Sequence, residues 1–223
     1  MKSIKKYLYA LAFSPLLWTS CSESFLEENN PNDQVPATFW VNETNALKGL
    51  AACYNPLRAE TSGYYGGYKG TLHWQMRADD LFPTRGEEDF SWTVQNFTNT
   101  PETGVNVWDY MYKGIQYANT FIYYSDQVPM DETKKKQMQG EAYFLRGFQY
   151  FQLAKYYGCA ILRTLPQDVD PEQRNYSSYE EILEQVASDF STAKSLLPET
   201  RPESEGGRVD RGAATAFLGK VYV

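Results

Sequence analysis

The sequence has few of the residues that build metal centres, disulfide frameworks and nucleic-acid interfaces. Its single histidine, His73, excludes sites that need two, such as H-E-x-x-H zinc centres. Its three cysteines, Cys21, Cys53 and Cys159, contain no C-x-x-C pair, so they predict neither a zinc cluster nor a disulfide framework. The 21 Lys and Arg residues are outnumbered by 28 Asp and Glu residues, which disfavours binding to phosphate backbones. The 16% of aromatic residues argues for a globular fold rather than disorder.

Residues 1–20 have the pattern of a secretory signal. Lysines precede an apolar run from Tyr7 to Trp18, and small polar residues follow it. The run is shorter than the ~20 apolar residues that a membrane-spanning helix needs, so export is predicted. Residues 1–20 carry three lysines and no acid, which leaves 18 basic and 28 acidic residues in the rest of the chain.

Cys21 follows this run directly, and Leu17-Trp18-Thr19-Ser20-Cys21 resembles a bacterial lipobox. In a lipobox the cysteine is lipidated and becomes the mature N-terminus. The stretch departs from the usual pattern at Trp18, where an aliphatic residue is normal. We expect Cys21 to be lipidated, and the alternative is a plain signal peptide followed by an incidental cysteine.

Residues 21–38 are acidic, rich in Asn and punctuated by Pro, which predicts an extended tether. Helical periodicity then recurs five times in residues 39–223. The predicted helices run from 43 to about 59, from 107 to before Pro129, from after Asp131 to Tyr157, from after Ser178 to Pro198, and from after Asp210 onward. Between the first two helices, residues 60–104 are rich in Gly and aromatic residues, which predicts a loop-rich insertion.

The helix ends carry recognisable signals. Asn42 is a suitable N-cap, Ser178 and Glu181 form a capping box, and Gly158 is a suitable stop. Neighbouring amphipathic helices predict a mostly α fold of stacked helix pairs that resembles tetratricopeptide repeats. The last apolar helical pattern has no stop before Val223, so we expect the domain to be incomplete at its C-terminus.

Several apolar side chains are assigned to this core. Trp40 and Trp108 fall in helical stripes and are core candidates. Cys53 and Cys159 lie in apolar helical patterns, so both are predicted to be buried and unpaired.

Short motifs follow one another along the chain, and their order is more informative than any one of them. They are Phe25-Leu26, Pro31, Phe39-Trp40, Trp108-x-x-Met111-Tyr112-x-x-Ile115-x-x-x-Asn119, Glu141-Ala142-x-Phe144-Leu145-Arg146-x-Phe148-x-Tyr150-x-x-Leu153-x-x-x-Tyr157-Gly158, Tyr179-x-x-Ile182, Leu197-Pro198, Gly207-Arg208-Val209-x-x-Gly212-Ala213-Ala214 and Leu218-x-x-Val221-Tyr222. In this order they resemble the SusD/RagB family, and the whole chain is similar to the N-terminal part of a longer family member.

The resemblance implies an outer-membrane surface lipoprotein of Bacteroidota. Such a protein captures glycans or other nutrients and passes them to a SusC-like TonB-dependent transporter. It binds its ligand without hydrolysing it, and the resemblance implies neither a cofactor nor a metal.

Sugars present apolar C–H faces and hydroxyl rims, so aromatic rings and short amides on loops suit them. The insertion supplies both, and Trp92 with Asn96 is the best candidate pair. The remaining candidates are Trp74, Tyr64 and Tyr65, with Tyr68 and Phe97 in the same stretch. For each ring taken alone, packing is the alternative interpretation.

No catalytic set emerges from the sequence. Glu141 and Arg146 are five residues apart and so do not share a helix face, which favours a structural role for this motif. The acids near His73 and Arg77 do not establish the carboxylate spacing of a glycosidase, and a loop-fixing ion pair is the simpler interpretation. A helical scaffold that binds only protein partners is the competing function, and a glycoside hydrolase is a weaker one.

Overall fold

The computed structural model describes residues 36–57, 107–172 and 174–223. A single helical turn, Pro36–Phe39, precedes five longer helices: α1 Glu43–Tyr54, α2 Val107–Ser125, α3 Glu132–Tyr157, α4 Tyr179–Leu196 and α5 Arg211–Val221. Short 3₁₀ turns, Asn55–Leu57 and Glu203–Glu205, follow α1 and α4. Within these described ranges the only strand-like pairing is an antiparallel bridge between Ala160 and Ser177. The predicted mostly α fold is confirmed.

The helix ends form as their sequence signals predict. The side chain of Asn42 accepts a hydrogen bond from the amide of Asn45 at 2.9 Å. At the start of α4, Ser178 accepts from the amide of Glu181, whose carboxylate accepts in turn from the amide of Ser178. Gly158 ends α3 with a φ of 69°, a left-handed conformation that glycine adopts without steric cost.

Two boundaries differ from the prediction. The first α-helix ends at Tyr54 rather than near 59 and tightens into the 3₁₀ turn, because Pro56 has no N–H to continue the helical ladder. Residues 36–38, the last three of the predicted extended tether, lie in the helical turn that precedes α1.

The helices stack in chain order, each against the next, and α3 contacts all four of the others. Trp40 enters this core beside α1, where its indole lies directly over Gly49 and leaves no space for a Cβ atom. The fully buried large side chains of the core are Tyr150, Phe121, Phe190, Met111, Ile115, Leu145, Leu153, Ile182 and Leu197. The central helix is therefore covered on several sides, so its polar side chains need partners inside the protein.

Arg146 of α3 is 4% exposed and meets that need with a bidentate ion pair. Its Nε and Nη2 atoms donate to the carboxylate of Asp189 on α4 at 2.9 and 2.7 Å. Its Nη1 atom donates to the side-chain oxygen of Asn119 on α2 and to the carbonyl of Thr164. Gln185 donates a further hydrogen bond to Asp189. One guanidinium thus joins α2, α3, α4 and the segment after α3.

Glu141, one turn and a half earlier on α3, is the second buried charge. Its carboxylate accepts hydrogen bonds from Arg201 and Arg208 at 2.7 and 2.6 Å. It also accepts from the hydroxyl of Tyr54 at 2.5 Å, and that hydroxyl accepts from the amide of Val209. This carboxylate ties the end of α1 to the connection between α4 and α5. The structural interpretation of the motif that contains Glu141 and Arg146 is confirmed.

The segment after α3 runs extended and is held by two tyrosines in place of a neighbouring strand. The hydroxyl of Tyr112 accepts from the amide of Ile161 at 2.6 Å and donates to its carbonyl. The hydroxyl of Tyr150 makes the same pair of bonds with Arg163, at 2.7 and 2.8 Å. Alternate residues of an extended chain face the same side, so the backbone N–H and C=O groups of Ile161 and Arg163 lie on one side of the segment. The two tyrosine hydroxyls, one from α2 and one from α3, satisfy these groups.

The two cysteines in the described ranges lie in different surroundings. Cys53 is fully buried in α1, as predicted, and burial raises the pKa of its thiol. Cys159 is unpaired as predicted, but it is only half-buried. It lies beyond Gly158, which ends the helix, so the placement of Cys159 in an apolar helical pattern is wrong.

We expect a thiol reagent to distinguish the two cysteines in the chain from residue 22 onward. Cys159 should react in the native state, whereas Cys53 should react only after unfolding, because its buried thiol keeps its proton. Labelling in buffer and in guanidinium, followed by peptide mass spectrometry, measures this. A Cys159→Ser variant should lose the native-state label, and modification of Cys53 in native buffer would contradict the expectation.

Removing the buried cation should destabilise the fold strongly. Arg146→Met leaves the carboxylate of Asp189 buried without its cation, so the free energy of unfolding should fall by about 3–5 kcal/mol. The double variant Arg146→Met with Asp189→Leu should recover part of that loss, because it removes both charges. Arg174→Met is the matched control, since the guanidinium that pairs with Asp170 is 47% exposed and its loss should change stability much less than that of Arg146. Equal denaturant midpoints for Arg146→Met and Arg174→Met would refute the central role of Arg146.

Candidate functional site

The residues predicted to bind glycan, Trp92, Asn96, Trp74, Tyr64 and Tyr65, lie outside the described residues. The predicted lipidation site Cys21 and the His73 region also lie outside them. The insertion that carries the predicted glycan-binding residues falls between Leu57, where the first described range stops, and Val107, where the next one begins. The 3₁₀ turn after α1 and the first turn of α2 are therefore the described parts nearest to it in sequence.

Three aromatic side chains meet where α2 begins, and we call them the aromatic corner: Trp108, Tyr157 and Tyr176. The Trp108 and Tyr157 rings lie 5.0 Å apart with an angle of 87° between their planes. The Trp108 and Tyr176 rings lie 6.2 Å apart at 62°. Tyr157 is 41% and Tyr176 is 66% exposed, and Trp108 is half-buried. Trp108 packs against the core as predicted, but it also contributes to this surface.

The backbone around the aromatic corner is fixed by regular interactions. Tyr157 is the last residue of α3, and Tyr176 directly precedes Ser177, whose amide donates to the carbonyl of Ala160 at 2.7 Å. Behind Trp108, the ring of Tyr112 lies 4.9 Å away. Burial raises the pKa of Tyr112 to about 12, so its hydroxyl stays protonated and can donate its hydrogen bond to the carbonyl of Ile161. The three rings therefore project from a rigid frame.

A separate surface feature is an open cleft of about 490 Å³ between α1 and α2. The side chains that line it combine an ammonium group, small apolar groups, an amide and two phenol rings: Lys48, Ala51, Ala52, Asn55, Tyr54 and Tyr117. One of its walls is structural, because the hydroxyl of Tyr54 is bonded to the buried Glu141. The described residues that line the cleft include no carboxylate, so they do not provide a general acid or base of that type.

The buried carboxylates of this part of the chain are not a catalytic pair. Glu141 is saturated by two arginines and a tyrosine, and Asp189 by an arginine and an amide. A carboxylate held in this way is buried and already engaged, so it is not open to a substrate. Among the described residues, no group of three His, Cys, Asp or Glu side chains is arranged to hold a metal ion.

None of the helices in the described ranges is both long enough and apolar enough to cross a bilayer.

Sequence reasoning did not identify the aromatic corner as a surface. It placed Trp108 in a core stripe and gave Tyr176 no role. The available signal was position: Trp108 and Tyr157 lie at the ends of α2 and α3, and Tyr176 lies in the connection that leads to α4.

The chain matches one protein family and several curated proteins. Residues 24–223 match the SusD-like family described as starch-binding and associating with the outer membrane. A SusD-like protein of Formosa agariphila is 31% identical over 184 residues, which cover 80% of this chain and 34% of that protein. A SusD-like protein of Bacteroides ovatus is 26% identical over 99% of this chain and 39% of its own length.

Solved structures agree with this match. A laminarin-binding SusD-like protein superposes with a TM-score of 0.73 at 27% identity, covering 82% of this chain and 40% of that one. A SusD-like carbohydrate-binding protein from Bacteroides fragilis superposes with a TM-score of 0.69 at 29% identity, covering 82% and 37%.

These matches confirm the predicted resemblance and the stacked-helix architecture. The chain spans between 34% and 43% of the length of the curated relatives that it matches. Since the family match extends over residues 24–223, the chain belongs to the SusD-like family.

Proposed function

We propose that this chain is the N-terminal part of a surface lipoprotein that captures oligosaccharides and delivers them to a SusC-like TonB-dependent transporter. The observation that carries the proposal is the family match over residues 24–223. The names of two matched structures, a laminarin-binding and a carbohydrate-binding protein, support glycan as the ligand class. The helical frame supports binding rather than catalysis, because its buried carboxylates are fully engaged in ion pairs.

The proposed glycan contacts lie in the insertion. Trp92 and Asn96 supply a ring for an apolar sugar face and an amide for its hydroxyl rim, and Trp74, Tyr64 and Tyr65 extend the lining. The lipid on Cys21 would hold the protein at the outer membrane, with residues 22–35 as the tether. The described frame from α1 to α5 would then support the insertion.

We expect the protein to be retarded in native gels that contain a recognised polysaccharide. Starch and laminarin are the first probes, followed by a panel of other neutral glycans. Trp92→Ala should abolish most of the retardation, because it removes the largest predicted stacking surface. The protein used should run from residue 22 to the end of its reading frame.

Tyr123→Ala is a matched control for that experiment. Tyr123 is an aromatic residue, 47% exposed, on the far end of α2, so its variant should be retarded like the wild type. Absence of retardation in every gel would instead favour a helical scaffold that binds only protein. Release of reducing ends from the polysaccharide would indicate a hydrolase.

The proposed lipid anchor on Cys21 leads to a separate prediction. Cys21→Ala should move the protein from the membrane fraction to the soluble periplasm, because the lipid can no longer be attached. Fractionation followed by immunoblotting measures the change, and Cys159→Ala should fractionate like the wild type. A Cys21→Ala protein that stays with the membrane would eliminate lipidation at this residue.

A further inference from the structure

We propose that the aromatic corner, Trp108, Tyr157 and Tyr176, is a second contact surface for neutral pyranose units of a bound polysaccharide. The inference rests on the proposed glycan-binding function and adds to it a site outside the insertion. The three residues lie at the start of α2, at the end of α3 and shortly before α4. None of them belongs to the glycan-binding residues predicted in residues 60–104.

Exposure is the first argument for this surface. Tyr176 presents 66% of its area to solvent, although the ring touches Trp108 on one side. Tyr157 presents 41% of its area in the same place. Aromatic rings that gather at a surface and stay partly exposed offer an apolar area with polar tips, which matches the mixed surface of a sugar ring.

Rigidity is the second argument. Gly158 stops α3 directly after Tyr157, and the Ala160–Ser177 bridge fixes the backbone next to Tyr176. Between these two points in the sequence, the hydroxyl of Tyr112 is hydrogen-bonded to the N–H and the C=O of Ile161. A site whose rings are already held in place loses little conformational entropy when a ligand binds. The corner therefore has the preorganisation that a weak stacking contact requires.

Charge and position specify the ligand further. The three side chains of the corner are uncharged at neutral pH, which suits neutral sugars rather than sulfated or uronic ones. Trp108 follows the insertion directly in sequence, since the described chain resumes at Val107. A polysaccharide repeats its units along an extended chain, so a second contact with the same molecule raises affinity through effective concentration.

Tyr176→Ala tests the proposal in the chain from residue 22 to the end of its reading frame. Gel retardation is measured with the polysaccharide of the panel that retards the wild type, and starch and laminarin are tested first. The Kd should rise about three- to tenfold, as expected for the loss of one stacking contact. Tyr157→Ala should weaken binding in the same direction. Tyr123→Ala is the control with similar exposure, 15 residues or about 22 Å along α2 from Trp108.

The outcomes separate this inference from the proposed function. Wild-type retardation with an unchanged Kd for Tyr176→Ala overturns the corner as a glycan surface and leaves glycan binding in place. A Tyr176→Ala protein that binds glycan normally but no longer co-purifies with its transporter overturns it in favour of a protein contact. A wild type that no polysaccharide of the panel retards overturns the inference together with its basis. Equal thermal unfolding of Tyr176→Ala and the wild type confirms that any weakening arises from the surface.

Discussion

The arrangement of this protein depends on how the charge of Arg146 is matched inside the core. A buried guanidinium needs an anion and acceptors for its remaining donors, and here they come from three separate elements. Asp189 holds α4 against α3, Asn119 holds α2, and the carbonyl of Thr164 holds the segment that follows α3. Asn119 in turn donates to the carbonyls of Arg163 and Leu165, so the same set of bonds also fixes that segment. Helix packing and loop conformation are therefore determined by one set of interactions.

Glu141 repeats this arrangement with the charges reversed, and both residues project from the same helix. Three residues beyond Arg146, α3 also buries the amide of Gln149, whose two polar atoms have no hydrogen-bond partner among the described residues. A Cβ atom on Gly114 of α2 would lie 2.8 Å from that amide nitrogen, so the two helices approach closely here. An unpaired buried amide costs about 1–3 kcal/mol. Burial of the apolar side chains around α3 offsets a cost of this size, which explains how polar side chains persist at the centre of the stack.

The sequence predicted the parts of the fold that local interactions decide. Apolar spacing located the five helices, and the capping box at Ser178 and the stop at Gly158 located two of their ends. The partners of Glu141 could not be predicted, because Arg201 and Arg208 are 60 and 67 residues away in the chain. The extended segment at 160–163 was missed for a related reason: the tyrosines that hold it belong to helices. The predicted glycan-binding rings lie beyond the described residues, so their prediction rests on sequence alone.

The buried charges also explain how exposed aromatic rings are compatible with a stable fold. Stability comes from bonds made inside the stack, such as those of Arg146 and Glu141, and from the apolar core around α3. The rings of Tyr157 and Tyr176 lie where helices and extended segments end, so much of their area contributes nothing to that core. A mutation in such a ring changes the surface without opening a cavity. Binding preference can therefore vary at the element ends while the frame that positions them stays constant.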